Sequence, residues 1–483
     1  MSTMPMVDLA GRLRAVLGDD CVIDDLAERR TYERDGLAHY KVTPALVVLP
    51  STGAQVAQTV RVCAEAGVPF VARGSGTGLS GGALPHADGV LIVTSRLRRI
   101  VEIDSANQRA VVQPGVVNLD VSRAAAPYGL YYAPDPSSQQ ICSIGGNLAE
   151  NSGGAHCLKY GFTTNHVTGA TWVTPQGDEV GLGGKAVDSP GYDLVGLVVG
   201  SEGTLGIATE ITVRLTRSPE AVRTVLAGFA STDHAGAAVS AIIAAGIVPA
   251  AIEMMDALAI EAAEAAVACH YPEGAGAVLV VEVDGAGDDV AHEFTEVERH
   301  CSEAGADEIR VAADEAERVL IWKGRKSAFA AVGRISPDYI VQDGVIPRTA
   351  LPDVLRRIAD LSGGSGVRVA NVFHAGDGNL HPLVLFDAAV DGQAEKAEEV
   401  SGAILDLCIE YGGSITGEHG VGADKAKYMP RMFSEDDLDT MGLVRCAFDP
   451  ESLSNPAKVF PTPRLCGEVP QVHHATENLA GVF

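Results

Sequence analysis

Short runs of β-branched and aliphatic residues dominate the first 215 residues of the chain. Runs of this length, bounded by turn-forming residues, are typical of β-strands. Five of them predict strands, at 45–49, 70–72, 90–93, 100–103 and 110–112. Between the first two runs, Val56, Val60 and Cys63 recur at the spacing of one helix face, and Gly67 and Pro69 predict the end of that helix.

The pattern changes at Ser218–Pro219. Beyond this point, segments with the strand pattern alternate with segments that have the helix pattern. The strands are predicted at 224–229, 249–254 and 277–283, and the helices at 234–245, 257–268 and 290–304. This alternation predicts a separate α+β unit in which helices cover a sheet. From Gly413 the chain returns to glycine-rich loops, and after Pro463 we expect a short flexible tail.

The composition narrows the class of protein. The chain has 46% hydrophobic and 20% charged residues, which is typical of a globular protein. Its 36 basic and 63 acidic side chains give a net charge of −27, which argues against binding to nucleic acids or to anionic membranes. The longest uncharged stretch, 235–252, is interrupted by Gly246 and Pro249, so it predicts a buried helix and strand and no transmembrane segment.

The cysteine spacing and the N-terminal sequence help to predict the cellular location of the protein. The nine cysteines contain no CxxC pair, which argues against the common iron–sulfur and zinc-ribbon motifs and against a disulfide scaffold. The first twelve residues have no apolar run, so they do not predict a signal peptide. We therefore expect a cytoplasmic protein that could reach a membrane only through a partner.

The segment Arg73–Gly82, RGSGTGLSGG, is the first of three glycine-rich loops. Gly76, Gly78 and Gly81 match the GxGxxG spacing of dinucleotide-binding proteins, but that motif requires a helix to open within it. Residues 82–85, GALP, precede the next strand and leave no room for a helix, so a Rossmann site is rejected. A simple hairpin loop and a nest of N–H groups around a phosphate both remain possible.

Two further glycine-rich segments favour the phosphate nest. They span residues 134–161 and 200–207, and both contain small hydroxyl residues. Three such loops suit a long ligand that lies across the ends of several strands, such as the nucleotide cofactor FAD.

A second group of candidate residues lies in the C-terminal third. His374 and His381 flank a Gly-Asp-Gly turn, and Glu418 and His419 occur in the segment GEHG. Because the turn interrupts strand alternation, both imidazoles could enter one site. Two histidines and a carboxylate would suit a catalytic divalent metal with open positions. Alternatively, these are polar residues with satisfied hydrogen bonds at strand ends.

The three loops resemble those of vanillyl-alcohol-oxidase-type flavoproteins, which bind FAD without a Rossmann unit. Residues 43–461 are similar to the FAD-linked 2-hydroxy acid dehydrogenases, including glycolate oxidases and D-lactate dehydrogenases. The resemblance implies an α+β protein with a two-part, non-Rossmann FAD-binding domain and an inserted ferredoxin-like α+β cap domain. The FAD-binding domain (PCMH-type) would comprise 1–217 and 413–462, and the cap 218–412, with the tail at 463–483.

The resemblance also implies cofactor-binding residues. The pyrophosphate would be held by Gly74, Ser75, Gly76, Thr77 and Gly78. The adenosine and ribityl parts would be lined by Pro134, Ser143, Gly146, Asn151, Glu202 and Ile207, and Asn455 would approach the flavin ring. The pyrophosphate loop contains no histidine or cysteine, so FAD is expected to bind non-covalently. The closing motif of the family, NPGK, reads NPAK here, with Ala457 at the glycine position.

For the second group, the resemblance implies that His374, His381 and Glu418 bind a divalent metal and that His419 is the catalytic base. Zinc is the first choice, although this ligand set also suits manganese or iron. The substrate carboxylate needs a local cation, and the resemblance favours Arg325, whose planar fork can bind a carboxylate through two hydrogen bonds. The neighbouring lysines, Lys323 and Lys326, suit a solvated helix face, and Arg334 is a reserve candidate.

The implied reaction is oxidation of a small D-2-hydroxy acid to the 2-oxo acid. Hydroxyglutarate-type members carry an Asn and a Lys where this chain has Leu383 and Val341, so glycolate or D-lactate is preferred. A D-2-hydroxyglutarate dehydrogenase and a non-catalytic flavin subunit of a glycolate oxidase complex are the alternatives. The electron acceptor stays open between a quinone, a cytochrome, oxygen and an iron–sulfur partner subunit.

Overall fold

A computed structural model describes residues 5–37, 40–186 and 191–461, which form two compact units. Unit 1 contains the described residues up to Gly153, then Phe162–Ser218, and then the described residues from Glu418. Unit 2 contains Gly154–Gly161 and Pro219–Gly417. The tail that we predict after Pro463 lies outside the described residues.

The described residues contain the following regular elements. The strands are β1 Val22–Ile23, β2 Leu46–Val48, β3 Phe70–Arg73, β4 Val90–Val93, β5 Ile100–Asp104, β6 Arg109–Val112, β7 Leu130–Tyr131, β8 Val167–Val173, β9 Glu179–Gly183, β10 Ile207–Arg214, β11 Thr216–Arg217, β12 Ala221–Phe229, β13 Ala251–Asp256, β14 Ala277–Gly285, β15 Ala306–Val311, β16 Asp338–Val341, β17 Gly344–Val345, β18 Val369–His374 and β19 Asn379–Phe386. The α-helices are α1 Met6–Leu17, α2 Leu26–Arg29, α3 Gly53–Ala66, α4 Asn118–Ala125, α5 Ile144–Glu150, α6 Cys157–Tyr160, α7 Leu194–Val198, α8 Thr232–Ala244, α9 Ala257–Val267, α10 Gly287–Glu303, α11 Glu315–Ala331, α12 Leu351–Ser365, α13 Gln393–Glu410, α14 Met429–Met432 and α15 Glu435–Phe448.

Unit 1 is built around two main sheets. One has the order β1-β2-β4-β3, with parallel pairing of β4 to both β2 and β3, and the other has the order β5-β6-β10-β8-β9. A short pair, β7 and β11, completes the described strands of this unit. The five strands predicted here are all present as β2 to β6, within one or two residues of the predicted ends.

Helix α3 shows why the sequence pattern between the first two predicted strands was sufficient to predict a helix. Val56, Val60 and Cys63 are fully buried, as their helical spacing predicts. Thr52 caps the start of the helix by accepting a hydrogen bond from Gln55 N at 3.2 Å, and Gly67 ends it with a left-handed φ of 64°. Local signals at both ends agree with the buried face, so the prediction is confirmed.

The second glycine-rich segment differs from the predicted loop. It contains helix α5, which places Gly145 and Gly146 within a helix. A Cβ at Gly145 would lie 2.5 Å from Pro114 Cβ, so that glycine serves close packing. By contrast, no helix lies between Gly82 and β4, as predicted.

Unit 2 has one sheet with the order β15-β12-β14-β13-β18-β19-β16, and β17 also pairs with β19. All of these neighbours are antiparallel. The first four strands along the chain, β12 to β15, have the ferredoxin-like order, and β18, β19 and β16 extend the sheet beyond it. Buried residues of α8, α10, α12 and α13 pack on one face, and those of α9 and α11 pack on the other.

Two buried carboxylates hold the short excursion 154–161 in unit 2. Asp284 accepts hydrogen bonds from Lys159 Nζ at 2.6 Å and from Tyr160 OH at 2.7 Å. Glu282 lies 3.3 Å from His156 Nε2, and although burial raises its pKa, the contact with His156 contributes to a net lowering to about 2. No sequence signal marked this excursion.

The uncharged stretch 235–252 forms most of α8 and the start of β13, as predicted. Within the described ranges, no helix combines the length and the apolar character needed to cross a membrane.

Candidate functional site

The first glycine-rich loop leaves β3 and lies against the start of α5. A Cβ at Gly74 would lie 2.2 Å from Ser143 Oγ, and a Cβ at Gly36 would lie 2.7 Å from Gly78 O. Gly76 has a φ of 68°, which side-chain-bearing residues rarely adopt. The close contacts at Gly36 and Gly74 and the backbone conformation at Gly76 therefore favour glycine at these three positions.

Asn455 connects two of the three loops. Its Nδ2 donates to Gly82 O at 2.8 Å and to Glu202 O at 2.6 Å, and its backbone N donates to Phe70 O at 2.8 Å. Asn455 is buried and has a φ of 44°. The closing motif therefore fixes the end of the first loop and the start of the third within unit 1.

The side chain of Glu202 holds the segment after His419. Its two carboxylate oxygens accept hydrogen bonds from Val421 N and Gly422 N, each at 2.6 Å. Burial raises the pKa of Glu202, and these backbone hydrogen bonds oppose the shift. Glu202 therefore has a clear structural role in unit 1, while its predicted contact with a cofactor stays a prediction.

Glu150 is a partly buried residue near Glu202 that the sequence analysis missed, and its carboxylate oxygen Oε2 is buried. A Cβ at Gly420 would lie 2.1 Å from Glu150 Oε2 and 2.9 Å from Glu202 Oε1, so both side chains line the same glycine. Burial, and then the charge of Glu202, raise the pKa of Glu150 well above its usual range. Both shifts favour the protonated forms, so this pair retains a proton more readily than exposed carboxylates do.

The converging loops of unit 1 carry polar atoms that a ligand could satisfy. Ser80 Oγ, Ser143 Oγ, Ser201 Oγ and Asn455 Oδ1 are buried and have no hydrogen-bond partner among the described residues. Leaving such a group unsatisfied costs about 1–3 kcal/mol. Four such atoms on the glycine-rich loops and the closing motif fit an extended polar ligand, and so the residues present fit a dinucleotide cofactor.

The other predicted cofactor residues are dispersed around these loops. Pro134 O accepts a hydrogen bond from Asn118 Nδ2 at 3.1 Å. Asn151 ends α5 with a φ of 52°, and its side chain accepts from Thr164 N at 2.8 Å. Ile207 begins β10 and its side chain lies in the hydrophobic core, which leaves mainly its backbone for a ligand. Gly146 lies in α5, and Ser75 is exposed in the first loop together with the partly buried Thr77.

The alanine in the closing motif is strained. Ala457 has a φ of 59°, in the left-handed region that costs a residue with a Cβ about 1–2 kcal/mol. We expect Ala457→Gly to raise the free energy of unfolding by about 1 kcal/mol, since the relief of strain exceeds the added entropy of the unfolded chain. Urea denaturation measures this change. The control, Ala64→Gly inside α3, should lower stability by a similar amount, and an unchanged or lower stability of Ala457→Gly would contradict the expectation.

In unit 2, the structure brings His374 and His381 together at the hairpin of β18 and β19. The register pairs His374 with Asn379 and Val372 with His381, so the two histidines are diagonal neighbours on one face of the sheet. Their ring centroids are 4.9 Å apart, and both side chains are buried. The turn between the strands requires Gly378, because a Cβ there would lie 2.1 Å from Ile346 O.

Glu253 on β13 contacts both His374 and Arg325. His374 Nδ1 lies 2.7 Å from Glu253 Oε1, and Arg325 Nη2 lies 2.5 Å from Glu253 Oε2. Since a carboxylate only accepts hydrogen bonds, His374 Nδ1 carries the proton and Nε2 is left as the possible metal ligand. Arg325 Nε is buried with no hydrogen-bond partner within the described ranges, so the guanidinium keeps a donor for an anion.

Arg325 differs from the other candidate cations in how deeply it is buried. Arg325 is only 2% exposed, whereas Lys323 is exposed on the same helix. Lys326 lies over the ring of Trp322, and Arg334 donates to the backbone oxygen of Ala265 at 2.9 Å. Arg325 is therefore the buried cation of this group beside the histidine pair.

Asp343 anchors the last residues of unit 2. It is fully buried, and its Oδ2 accepts hydrogen bonds from Thr416 Oγ1 at 2.6 Å and from Gly417 N at 3.0 Å. Glu418 and His419 follow directly in the chain and belong to unit 1. Glu418 is buried, and its Oε1 lies 3.6 Å from His419 Nε2.

The two positions from which the sequence analysis predicted a small substrate are apolar and adjacent. Leu383 and Val341 pair across β19 and β16, and both are buried. Leu383 follows His381 by two residues, so both side chains lie on the same face of β19. Phe329 adds an aromatic ring 5.6 Å from the His381 ring.

Comparisons with known proteins cover most of the chain. Residues 218–459 match a family model described as FAD linked oxidases, C-terminal domain, and residues 44–183 match one described as FAD binding domain. The chain is 53% identical to glycolate oxidase subunit GlcD of Escherichia coli K12, over 92% of this chain and 89% of that protein. It is 31% identical to a D-lactate dehydrogenase of Anaerostipes hadrus, over 92% and 94% respectively. A 4-ethylphenol oxidase from Gulosibacter chungangensis has a similar structure, with a TM-score of 0.78 at 18% identity, over 95% and 97%.

Proposed function

The chain belongs to the FAD-linked oxidase family, and on that basis we propose that it oxidises glycolate or D-lactate to the 2-oxo acid. The fold is of the vanillyl-alcohol-oxidase type, which the sequence motifs predicted. The similarity to a glycolate oxidase subunit and to a D-lactate dehydrogenase supports a 2-hydroxy acid as substrate.

One observation in unit 2 supports this proposal most directly. The buried carboxylate of Glu253 contacts both a histidine of the predicted metal site, His374, and the guanidinium of Arg325. A 2-hydroxy acid has a hydroxyl and a carboxylate on adjacent carbons, so it needs a hydroxyl-binding group and an anion-binding group close together. Glu253 contacts one group of each kind, because its carboxylate pairs both with His374 of the predicted metal site and with the guanidinium of Arg325.

The proposed roles follow from the chemistry of each side chain. When bound, FAD supplies the acceptor for the hydride from C2, and the metal supplies a Lewis acid at the hydroxyl oxygen. His374 and His381 would hold the metal together with Glu418, the residue that follows unit 2 in the chain. Arg325 would bind the substrate carboxylate, and the imidazole of His419 would take the hydroxyl proton at one of its ring nitrogens.

The side chains around His381 favour a short substrate. Leu383 and Val341 offer no hydrogen bond to a distal carboxylate, whose burial against apolar side chains would be costly. Glycolate and D-lactate have no second carboxylate, whereas D-2-hydroxyglutarate has one. We therefore expect D-2-hydroxyglutarate to be a poorer substrate than glycolate or D-lactate.

The decisive experiment is anaerobic bleaching of the flavin in the purified chain. We expect glycolate or D-lactate to reduce the flavin and D-2-hydroxyglutarate to do so much more slowly, with the reaction lost after chelator treatment and restored by Zn²⁺ or Mn²⁺. Equal rates with D-2-hydroxyglutarate would contradict the substrate assignment. No reduction by any 2-hydroxy acid would favour the alternative, a non-catalytic flavin subunit of a glycolate oxidase complex. The E. coli relative is itself named as a subunit of glycolate oxidase.

Arg325→Lys tests the proposed carboxylate anchor. Lysine keeps the positive charge beside Glu253 but loses the planar fork, and a hydrogen bond to a charged group contributes about 1.5–3 kcal/mol. We therefore expect kcat/KM for glycolate to fall by roughly 10- to 100-fold, mainly through KM. Steady-state kinetics with an artificial dye measure this effect. Lys323→Ala, on the exposed part of α11, is the matched control, and equal kinetics for both variants would argue against the role of Arg325.

A further inference from the structure

We propose that Glu253 is a positioning residue that fixes the spacing between His374 and Arg325 and thereby selects acids with the hydroxyl next to the carboxylate. This inference rests on the function proposed above. It adds a residue that no sequence motif marked, and it assigns the discrimination between 2-hydroxy and 3-hydroxy acids to that residue.

The strand register places Glu253 for this role. Glu253 on β13 pairs directly with His374 on β18, so the two side chains extend from the same face of the sheet. Glu253 is 1% exposed, and the side chains of His374 and Arg325 are 5% and 2% exposed. A carboxylate in such an environment is costly unless both oxygens are paired, and here each oxygen has a partner of its own.

The first consequence concerns the imidazole of His374. Glu253 Oε1 and Oε2 lie 2.7 and 3.0 Å from His374 Nδ1, which keeps the proton on Nδ1 and directs Nε2 away from the carboxylate. Metal-binding histidines usually donate their second N–H to such a group, and loss of that partner typically lowers metal affinity by about 10- to 100-fold. Glu253 would therefore orient a metal ligand and make it more basic.

The second consequence concerns the distance between the His374 imidazole and the Arg325 guanidinium. Glu253 Oε2 pairs with Arg325 Nη2 at 2.5 Å, so the guanidinium and the imidazole share one rigid buried partner. The guanidinium also lies over the Phe329 ring, with 5.9 Å between Cζ and the ring centroid, which restricts its movement further. A substrate that bridges the two groups must then match a fixed spacing. In a 2-hydroxy acid the hydroxyl-bearing carbon is bonded directly to the carboxylate carbon, whereas in a 3-hydroxy acid one methylene group lies between these two carbons.

The test uses two variants and a control on the same strand. Glu253→Gln keeps an acceptor for His374 but loses the charge that pairs with Arg325, whereas Glu253→Ala loses both contacts. Asp256→Asn is the matched control, because Asp256 is a partly buried carboxylate of β13 that accepts hydrogen bonds from Ala259 N at 2.9 Å and Asn371 Nδ2 at 2.8 Å. All three are compared as full-length flavoproteins, with thermal unfolding to confirm the fold.

The first readout is independent of turnover. Chelator-treated protein is titrated with Co²⁺, whose visible absorption reports its coordination. We expect the dissociation constant to rise by about 10- to 100-fold in Glu253→Ala and by a smaller factor in Glu253→Gln, with Asp256→Asn like the parent protein. If both Glu253 variants bound Co²⁺ as tightly as the parent protein does, the inference about Glu253 would be wrong, while the proposed function would stand. Failure of the parent protein to bind Co²⁺ would overturn the metal site of the proposed function as well.

The second readout separates positioning from a general structural role. The ratio of kcat/KM for glycolate to that for 3-hydroxypropionate is measured for each protein. We expect this ratio to fall about tenfold in Glu253→Ala, because an unrestrained Arg325 can adjust to the longer acid, which amounts to about 1.4 kcal/mol of lost discrimination. A general loss of structure would lower both values together and leave the ratio unchanged, and that result would also overturn the inference.

Discussion

Replacing His374 by Ala is expected to abolish metal binding and to lower the turnover of glycolate about a thousandfold while FAD stays bound. Polarisation of the hydroxyl oxygen by a metal is worth several kcal/mol, and each 1.4 kcal/mol of lost transition-state stabilisation is about tenfold in rate. His374 lies in unit 2, whereas the first and third glycine-rich loops, Asn455 and Ser143 lie in unit 1, so the flavin site should be unaffected.

Three measurements on the His374→Ala variant make this result interpretable. Elemental analysis gives the metal content, the visible spectrum gives the flavin content, and stopped-flow bleaching gives the rate of flavin reduction. His234→Ala, an exposed histidine on α8, is the control and should behave like the parent protein. A metal-free variant that still bleaches at the parent rate would show that the reaction does not need the metal.

The second large effect is expected for His419→Asn. A positioned general base typically contributes about 100- to 10,000-fold to the rate, so we expect flavin reduction to slow within that range. The metal content and the flavin content should stay at parent levels, because His419 is proposed as base and not as ligand. Single-turnover bleaching under anaerobic conditions measures the effect without the unknown electron acceptor.

The outcomes for His419→Asn distinguish two roles. Loss of metal together with activity would make His419 a metal ligand and would contradict the assignment of the base. An unchanged rate would exclude both roles. His292→Asn, at an exposed position of α10, controls for effects of removing a histidine in general.

Local signals in the sequence were sufficient for much of the fold. Helix α3 has a cap, a buried stripe and a terminal glycine that agree with one another, and β4 is a short apolar run bounded by turn residues. The rejection of a Rossmann site also depended only on neighbouring residues, since residues 82–85 leave no room for a helix. By contrast, α5 was missed because its two glycines oppose helix formation locally, and close packing against Pro114 compensates for this.

Two of the missed residues, Glu253 and Glu282, share one feature that could have identified them. Glu253 is the lone charged residue inside the strand pattern AIEMM, and Glu282 stands in the run VLVVEV in the same way. A single acid within an apolar strand predicts a buried carboxylate, which must find a cation or donors. The sequence does not tell which partners it finds, because those come from strands and helices far along the chain.

The glycine-rich loops and the histidine motifs, through their resemblance to FAD-linked 2-hydroxy acid dehydrogenases, predicted from the sequence an FAD-binding protein of the α+β class with a candidate metal site. These features depend on short segments, in which the chemistry of a few adjacent residues is nearly independent of the rest of the chain. Only the tertiary structure decided that Glu253 links His374 to Arg325 and that Glu202 holds Val421 and Gly422. Those contacts join residues more than 70 positions apart, and they exist because sheet register and helix packing, not local sequence, set which buried charges meet.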